Sequence, residues 1–212
     1  MIQKEIFLKT EGDKWFQRNF DTYNVEKYET DKICELIKNI APNPNQFIFE
    51  VGCSAGYRLK YLSQLGYTVS GIEPSEQAVK RARLNGVNVI QGTADNLIIN
   101  DNSVDILIFG FCLYLVDPSD YFKIAFESYR VLKDDGIMIL HDFAPKSYYK
   151  NSYKHLDGIN SYKFVFKNIL LTHPHLVLKS KTTEIHSKLK EDINNQNEWV
   201  QISTIAKHTN LF

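Results

Sequence analysis

The ten residues Phe47 to Gly56, FIFEVGCSAG, constrain this chain more than any other stretch. Phe47, Ile48 and Phe49 form a short apolar run with strand character, and Glu50 sits near its carboxyl end. Gly52, Ser54, Ala55 and Gly56 then make a tight loop of small residues, and Tyr57 to Leu65 (YRLKYLSQL) resumes with helical spacing. In a strand–loop–helix unit of this kind the loop backbone can approach a ligand closely, and the helix start offers free N–H groups. Such a unit builds a nucleotide-cofactor site within parallel strands joined by crossover helices.

What the loop lacks narrows the cofactor. A dinucleotide fingerprint needs G-x-G-x-x-G, whose glycines admit a pyrophosphate. Here Ser54 takes the middle position and bulky Tyr57 stands where the last glycine is needed. Glu50 would repel a diphosphate but suits an ammonium group. An NAD-dependent oxidoreductase is therefore the disfavoured alternative. Downstream, Thr68 to Ile72 reads as a second strand ending in Glu73-Pro74. An acid roughly 20 residues after the loop is where ribose hydroxyls are held. Glu76 to Leu84 reads as a helix and Val87 to Ile90 as a third strand. Gly92-Thr93-Ala94-Asp95 then puts an acid where an adenine amino group is met. Val104 to Phe109 is the fourth strand, opening into Gly110-Phe111-Cys112-Leu113-Tyr114 at the reactive end.

The order E-V-G-C-S-A-G, G-I-E-P-S, G-T-A-D, V-D-I-L-I-F-G-F-C-L-Y and R-V-L-K-D-D-G-I-M-I-L resembles the class I S-adenosylmethionine-dependent methyltransferases. The resemblance runs from about Phe47 to Asp142, with two departures: Ser54 for the commoner loop glycine, and Asp135 for the usual glycine before Gly136. It implies an α/β fold, a doubly wound Rossmann-like sheet of seven strands, mostly parallel and closed by a C-terminal antiparallel hairpin. It implies S-adenosyl-L-methionine as cofactor, held by Glu50, Gly52, Cys53, Ser54, Gly56, Glu73, Pro74, Ala94, Asp95, Gly110, Phe111 and Tyr114. A non-catalytic S-adenosylmethionine-binding module is the other alternative, and the intact set Glu50, Gly52, Glu73 and Asp95 argues against it. The start WFQRN and the tyrosine-rich segment are more loosely similar to methyltransferases of surface-polysaccharide and sugar-modification pathways. The acceptor expected on that basis is an O or N atom of a small polar molecule, a sugar or nucleotide-sugar. Quinone, amino-acid and antibiotic precursors remain open.

Length and composition agree with one domain over residues 1–212: a helical lid at 1–45, a cofactor core at 46–142, and a substrate-covering insertion with the hairpin at 143–212. Lysine plus arginine balances aspartate plus glutamate, so a nucleic-acid substrate is not expected. Basic patches remain around Lys146 to Lys154 and Lys179 to Lys190. No charged leader with an apolar core opens the chain and no long apolar run occurs, so neither secretion nor membrane spanning is expected. Cys34, Cys53 and Cys112 have no metal spacing, and their odd number suits a reducing cytoplasm. Oligomeric state is not legible.

The remaining segments frame the site. Asp31 is placed to cap a helix over Ile33 to Ile40, and Ala41 to Asn45 turns the chain into the first strand. Ser119 to Lys133 carries Phe122, Ala125, Phe126 and Tyr129 on one helical face. Asp134-Asp135-Gly136 is a turn before a fifth strand, Ile137 to Leu140. Leu176 to Ile185 and Trp199 to Ala206 read as a strand pair around a polar loop, Lys190 to Glu198. In the lid, the resemblance gives Trp15 and Phe16 the exclusion of water and Arg18 the methionine carboxylate. His141, leaving the fifth strand at the ligand edge, is the candidate for removing a proton, with Asp142 orienting it or the substrate. Tyr148, Tyr149, Tyr153 and His155 in KSYYKNSYKH are candidate acceptor contacts. His173-Pro174-His175 reads as a turn and His186 as surface.

Overall fold

The computed structural model describes residues 3–20, 24–41, 43–186 and 194–210. Five parallel strands carry the core: β1 (Phe47–Val51), β2 (Thr68–Glu73), β3 (Asn88–Gln91), β4 (Val104–Gly110) and β5 (Leu132–Phe143). After a small hairpin, β6 (Tyr149–Ser152) with β7 (Asn160–Lys163), the chain adds β8 (Leu176–Ile185) and β9 (Trp199–Lys207). The main sheet has seven strands in the order β3-β2-β1-β4-β5-β9-β8, with β9 antiparallel to both β5 and β8. That is the expected doubly wound sheet with its antiparallel hairpin.

Burial on both faces explains why the central strands read as apolar runs. Phe49, Val51, Leu107, Phe109, Met138 and Leu140 point into one core, against α6 (Tyr121–Val131) and α7 (Lys167–Leu170). Ile48, Ile106, Ile108 and Ile139 point into the other, against α3 (Lys32–Ile40), α4 (Tyr57–Gln64) and α5 (Glu76–Leu84). Phe49 and Phe109 are almost wholly buried, so truncating either to alanine removes about 3–5 kcal/mol. Strand order reverses between β1 and β4, and the crevice outside their carboxyl ends is where this architecture holds ligands.

Local sequence explains the helix ends. Asp31 Oδ1 accepts the Cys34 N–H at 3.1 Å and starts α3, and Ser75 Oγ accepts the Ala78 N–H at 3.0 Å and starts α5. Residues 3–19 form one covering helical segment: α1 (Gln3–Ile6), a π-helical turn (Phe7–Glu11) and α2 (Gly12–Asn19).

Three expectations change. The buried stripe of α6 is Tyr121, Ile124, Ser128 and Val131, while Phe122 and Phe126 face solvent, so the helix turns its other side to the sheet. Asp134 to Gly136 lies within β5, where Asp135 at φ 61° and a register shift between Val104 and Ile106 absorb the bend. The insertion after β5 forms its own two-stranded hairpin, β6–β7. Of the expected loop from Lys190 to Glu198, residues 190–193 lie outside the described ones, as do 187–190 of the basic patch; Gln196–Glu198 is a 3-10 turn.

Candidate active site

The loop after β1 is built from left-handed backbone. Gly52, Ser54 and Gly56 have φ of 70°, 49° and 67°. The Gly52 N–H bonds the Ile72 carbonyl at 2.8 Å, and a Cβ there would stand 2.7 Å from Cys112 Cβ, so only glycine fits. The Ser54 N–H donates to Glu73 Oε2 at 2.8 Å, while Glu73 Oε1 accepts the Ser75 N–H at 3.0 Å. Burial pushes the Glu73 carboxyl up to about 7, against the pull of those two N–H groups. Gly56 lines neither of the two cavities at the sheet's carboxyl edge. Its missing side chain lets α4 approach Ala82 and Val87, the nearest of which a Cβ would meet at 3.2 Å. The structure thus gives Gly56 a packing role between α4 and α5.

Two cavities open at the sheet's carboxyl edge. The first is lined by Glu73 and Pro74 after β2 and by Gly92, Thr93, Ala94 and Asp95 after β3, with Lys4, Phe7 and Trp15 of the covering helices over it. Asp95 accepts from Thr93 Oγ1 at 2.7 Å and from Lys4 Nζ at 2.5 Å, and Lys4 also reaches Asp120 at 2.8 Å. The second cavity is polar and runs from Glu50, Cys53 and Ser54 past Gly110, Tyr114 and His141 to Tyr153, His155 and Lys163. Trp15, Gly52 and Phe111 line both.

Phe111 divides them under strain. Its φ of 55° is rare for an aromatic residue and costs about 1–3 kcal/mol. The Phe111 N–H bonds the His141 carbonyl at 2.8 Å, and its ring lies 4.6 Å from the His141 ring and 5.0 Å from that of His186. His186, expected simply at the surface, is half-exposed yet forms part of this wall.

Glu50 lies in a buried charge cluster. Arg58, in the first turn of α4, ion-pairs with Glu50 and with Asp31 and stacks over Tyr28 at 5.1 Å. Burial opposes ionisation of Asp31, yet Arg58 holds its carboxyl below the usual range; Glu50 is pushed upward by burial despite the same cation. One cation and two carboxylates leave a net negative charge, and Glu50 Oε2 is buried without a hydrogen-bond partner among the described residues. An orphaned acceptor in an under-neutralised cluster fits an ammonium group. The residues present therefore suit S-adenosylmethionine: Glu50 for the amino-acid end, Glu73 for the ribose and Asp95 for the adenine. Arg58 was not singled out in the sequence. Its place on the helix straight after the glycine loop was the available signal.

Several candidates stand elsewhere. Phe16 packs with Ala55, Ala78 and Tyr57, not over the cofactor crevice. Arg18 lines neither cavity; it pairs with the fully buried Glu11 and donates to the Tyr153 hydroxyl at 3.0 Å. Glu11 lies on the same helical face and captures the guanidinium before it can reach a ligand. Asp142 accepts the backbone N–H groups of Leu113 and Phe143 at 2.8 and 2.7 Å, so it anchors the loop after β4 and does not orient His141. Burial pushes its carboxyl up to about 6 against those donors. Tyr148 is 83% exposed, and neither it nor Tyr149 lines either of these two cavities. Tyr153 and His155 do, and so does His141, whose Nε2 is buried and lies 3.6 Å from Glu184. Among the described residues no cluster suits a metal ion, and no helix is long and apolar enough to cross a membrane.

A doubly wound sheet with this loop and these three carboxylates defines a nucleoside-binding domain of the methyltransferase type. Residues 49–140 match the family model described as a methyltransferase domain. The chain is 32% identical over 108 residues, half of its length and 51% of the relative's, to an uncharacterized methyltransferase of Synechocystis. It thus spans about half the length of the curated relatives it matches. An S-adenosylmethionine-dependent methyltransferase from Methanosarcina mazei superposes with a TM-score of 0.68 at 18% identity, covering 82% of this chain and 97% of that one. A 1,6-didemethyltoxoflavin-N1-methyltransferase from Burkholderia thailandensis, solved with its acceptor and S-adenosylhomocysteine, gives 0.65 at 14% identity, covering 82% and 76%. Residues 49–140 therefore form a domain of the methyltransferase type, and the chain is similar to S-adenosylmethionine-dependent methyltransferases in sequence over half its length and in fold over most of it.

Proposed function

We propose that this protein transfers a methyl group from S-adenosylmethionine to an O or N atom of a small polar molecule, of the sugar or nucleotide-sugar class. The observation that carries this reading is the meeting of the two cavities at Trp15, Gly52 and Phe111, which places the cofactor crevice and a polar chamber end to end. With its adenosine in the first and its amino-acid end at Glu50 in the mouth of the second, S-adenosylmethionine supplies a sulfonium methyl already activated towards nucleophiles. The chain's own task is to align the acceptor at about 3 Å in a site screened from water. Trp15 screens the junction, and the Phe111 and Phe143 rings, edge to face at 5.8 Å, offer an apolar corner. Asn151, Ser152, Tyr153, Ser161 and Asn197 around the chamber supply hydrogen bonds for hydroxyls. His141, in the chamber wall, takes the proton of a hydroxyl or ammonium acceptor.

Calorimetry with S-adenosylmethionine and with NAD tests the cofactor reading, and turnover of a panel of nucleotide-linked sugars tests the acceptor. Binding of NAD alone would sink the first. Methylation of a quinone or amino acid with no sugar turned over would sink the second.

A further inference from the structure

Glu184 lies far from every cofactor motif, on β8 at the distal edge of the sheet. Through the antiparallel pairing of β8 with β9, and of β9 with β5, it is carried back over the carboxyl end of β5. Its carboxylate is divided between two partners. Oε2 pairs with Lys32 at the start of α3, and Oε1 lies 3.6 Å from His141 Nε2. That nitrogen is buried and has no hydrogen-bond partner among the described residues. A buried, orphaned ring nitrogen beside a carboxylate already fixed on its far side is the geometry of a histidine held in one tautomer.

We propose that Glu184 is a positioning residue for His141, holding the neutral imidazole with its proton on Nε2 and so leaving the Nδ1 lone pair for the acceptor. This rests on the reading of His141 as the base. At 3.6 Å the pair is beyond hydrogen-bond range and acts through charge, tightening when the ring becomes imidazolium. The proton leaves the acceptor hydroxyl or ammonium for Nδ1, the cation formed is balanced by the Glu184 carboxylate, and the proton then passes to water. The Phe111 ring, 4.6 Å from the imidazole, limits its rotation. The other charges that act on the ring are Arg58 of α4, Asp31 before α3 and Lys32, and burial disfavours the imidazolium. Glu184 and Asp31 favour it, while Arg58 and Lys32 oppose it.

The test is nitrogen-15 NMR of the histidine side chains in the full chain loaded with S-adenosylhomocysteine, which needs no acceptor. Wild-type His141 is expected as the Nε2–H tautomer. Glu184→Gln should lower its pKa by about one unit and Lys32→Met should raise it by less, since each removes one charge near the ring. Equal pKa and tautomer in wild type and Glu184→Gln would overturn the proposal. The base reading fails separately: His141→Asn turning over an identified acceptor at the wild-type rate would remove it, even with the NMR shifts as expected.

Discussion

The Ser54 N–H reaches across the crevice to the Glu73 carboxylate at 2.8 Å, tying the loop after β1 to the end of β2. Each Glu73 oxygen accepts one backbone N–H and keeps a lone pair for a ribose hydroxyl. Glu73→Ala is expected to weaken S-adenosylmethionine binding by about 2–4 kcal/mol, the loss of two charge-assisted bonds with partial replacement by water. Calorimetric titration checks this, and an unchanged affinity would end the ribose assignment.

The same carboxylate gives a pH signature. Its pKa in the fold is raised from 4.5 to about 7, so the unliganded fold binds a proton there more tightly than the unfolded chain does. For this group, stability is highest below 4.5 and declines as pH rises through 7. Glu73→Gln, which cannot ionise, should flatten that part of a pH series of urea melts. Identical pH dependence in both proteins would show that Glu73 does not titrate there.

Left-handed positions in the loop make opposite predictions. Gly52→Val meets both an unfavourable φ of 70° and the Cys112 side chain, so it should abolish cofactor binding. Ser54→Gly relieves a φ of 49° and should stabilise the protein by about 1 kcal/mol. A lower melting temperature for Ser54→Gly would mean that the serine side chain contributes more than its backbone costs.

The covering helices are fastened at several places, Gln3 to the Leu115 and Asn160 carbonyls among them. Lys4 bonds Asp95 and Asp120, Asp13 Oδ1 accepts from Ser75 Oγ at 2.6 Å, and Glu11 and Arg18 meet Tyr153. Cofactor in the cavity beneath should add contacts with Trp15 and Phe7, so amide exchange over residues 3–19 should slow with S-adenosylhomocysteine present. Lys4→Ala should speed it without ligand. Equal exchange with and without ligand would show static packing.

His141→Asn is expected to cut turnover by about a hundredfold while sparing cofactor affinity. Burial lowers the His141 pKa below its ordinary 6.5, with Glu184 opposing, so the acid limb of the wild-type rate should fall below that value. A base works only above its own pKa, and the variant should lose this limb. Unchanged turnover with the same limb would make His141 structural.

Strand identities and the cofactor loop were legible in the sequence because their causes are local. Phe47 to Phe49, Ile106 to Phe109 and Ile137 to Leu140 are apolar on successive residues, as strands buried on both faces must be. Gly52 and Gly56 mark backbone that other residues enter only under strain. Glu73 is fixed by the spacing of one βαβ unit. What no local pattern carries is the partner of a charge. Arg18 reads as a ligand fork until Glu11 and Tyr153 claim it, and Asp142 reads as catalytic until the amides of Leu113 and Phe143 do. Arg58 joins Glu50 to Asp31 only once α3 and α4 pack together, and Glu184 meets His141 only across two antiparallel pairings. A buried ion's role depends on which groups the fold brings within a few ångströms, and the partners that complete these clusters, Asp31 for Arg58, Tyr153 for Arg18 and Glu184 for His141, come from residues far apart in sequence.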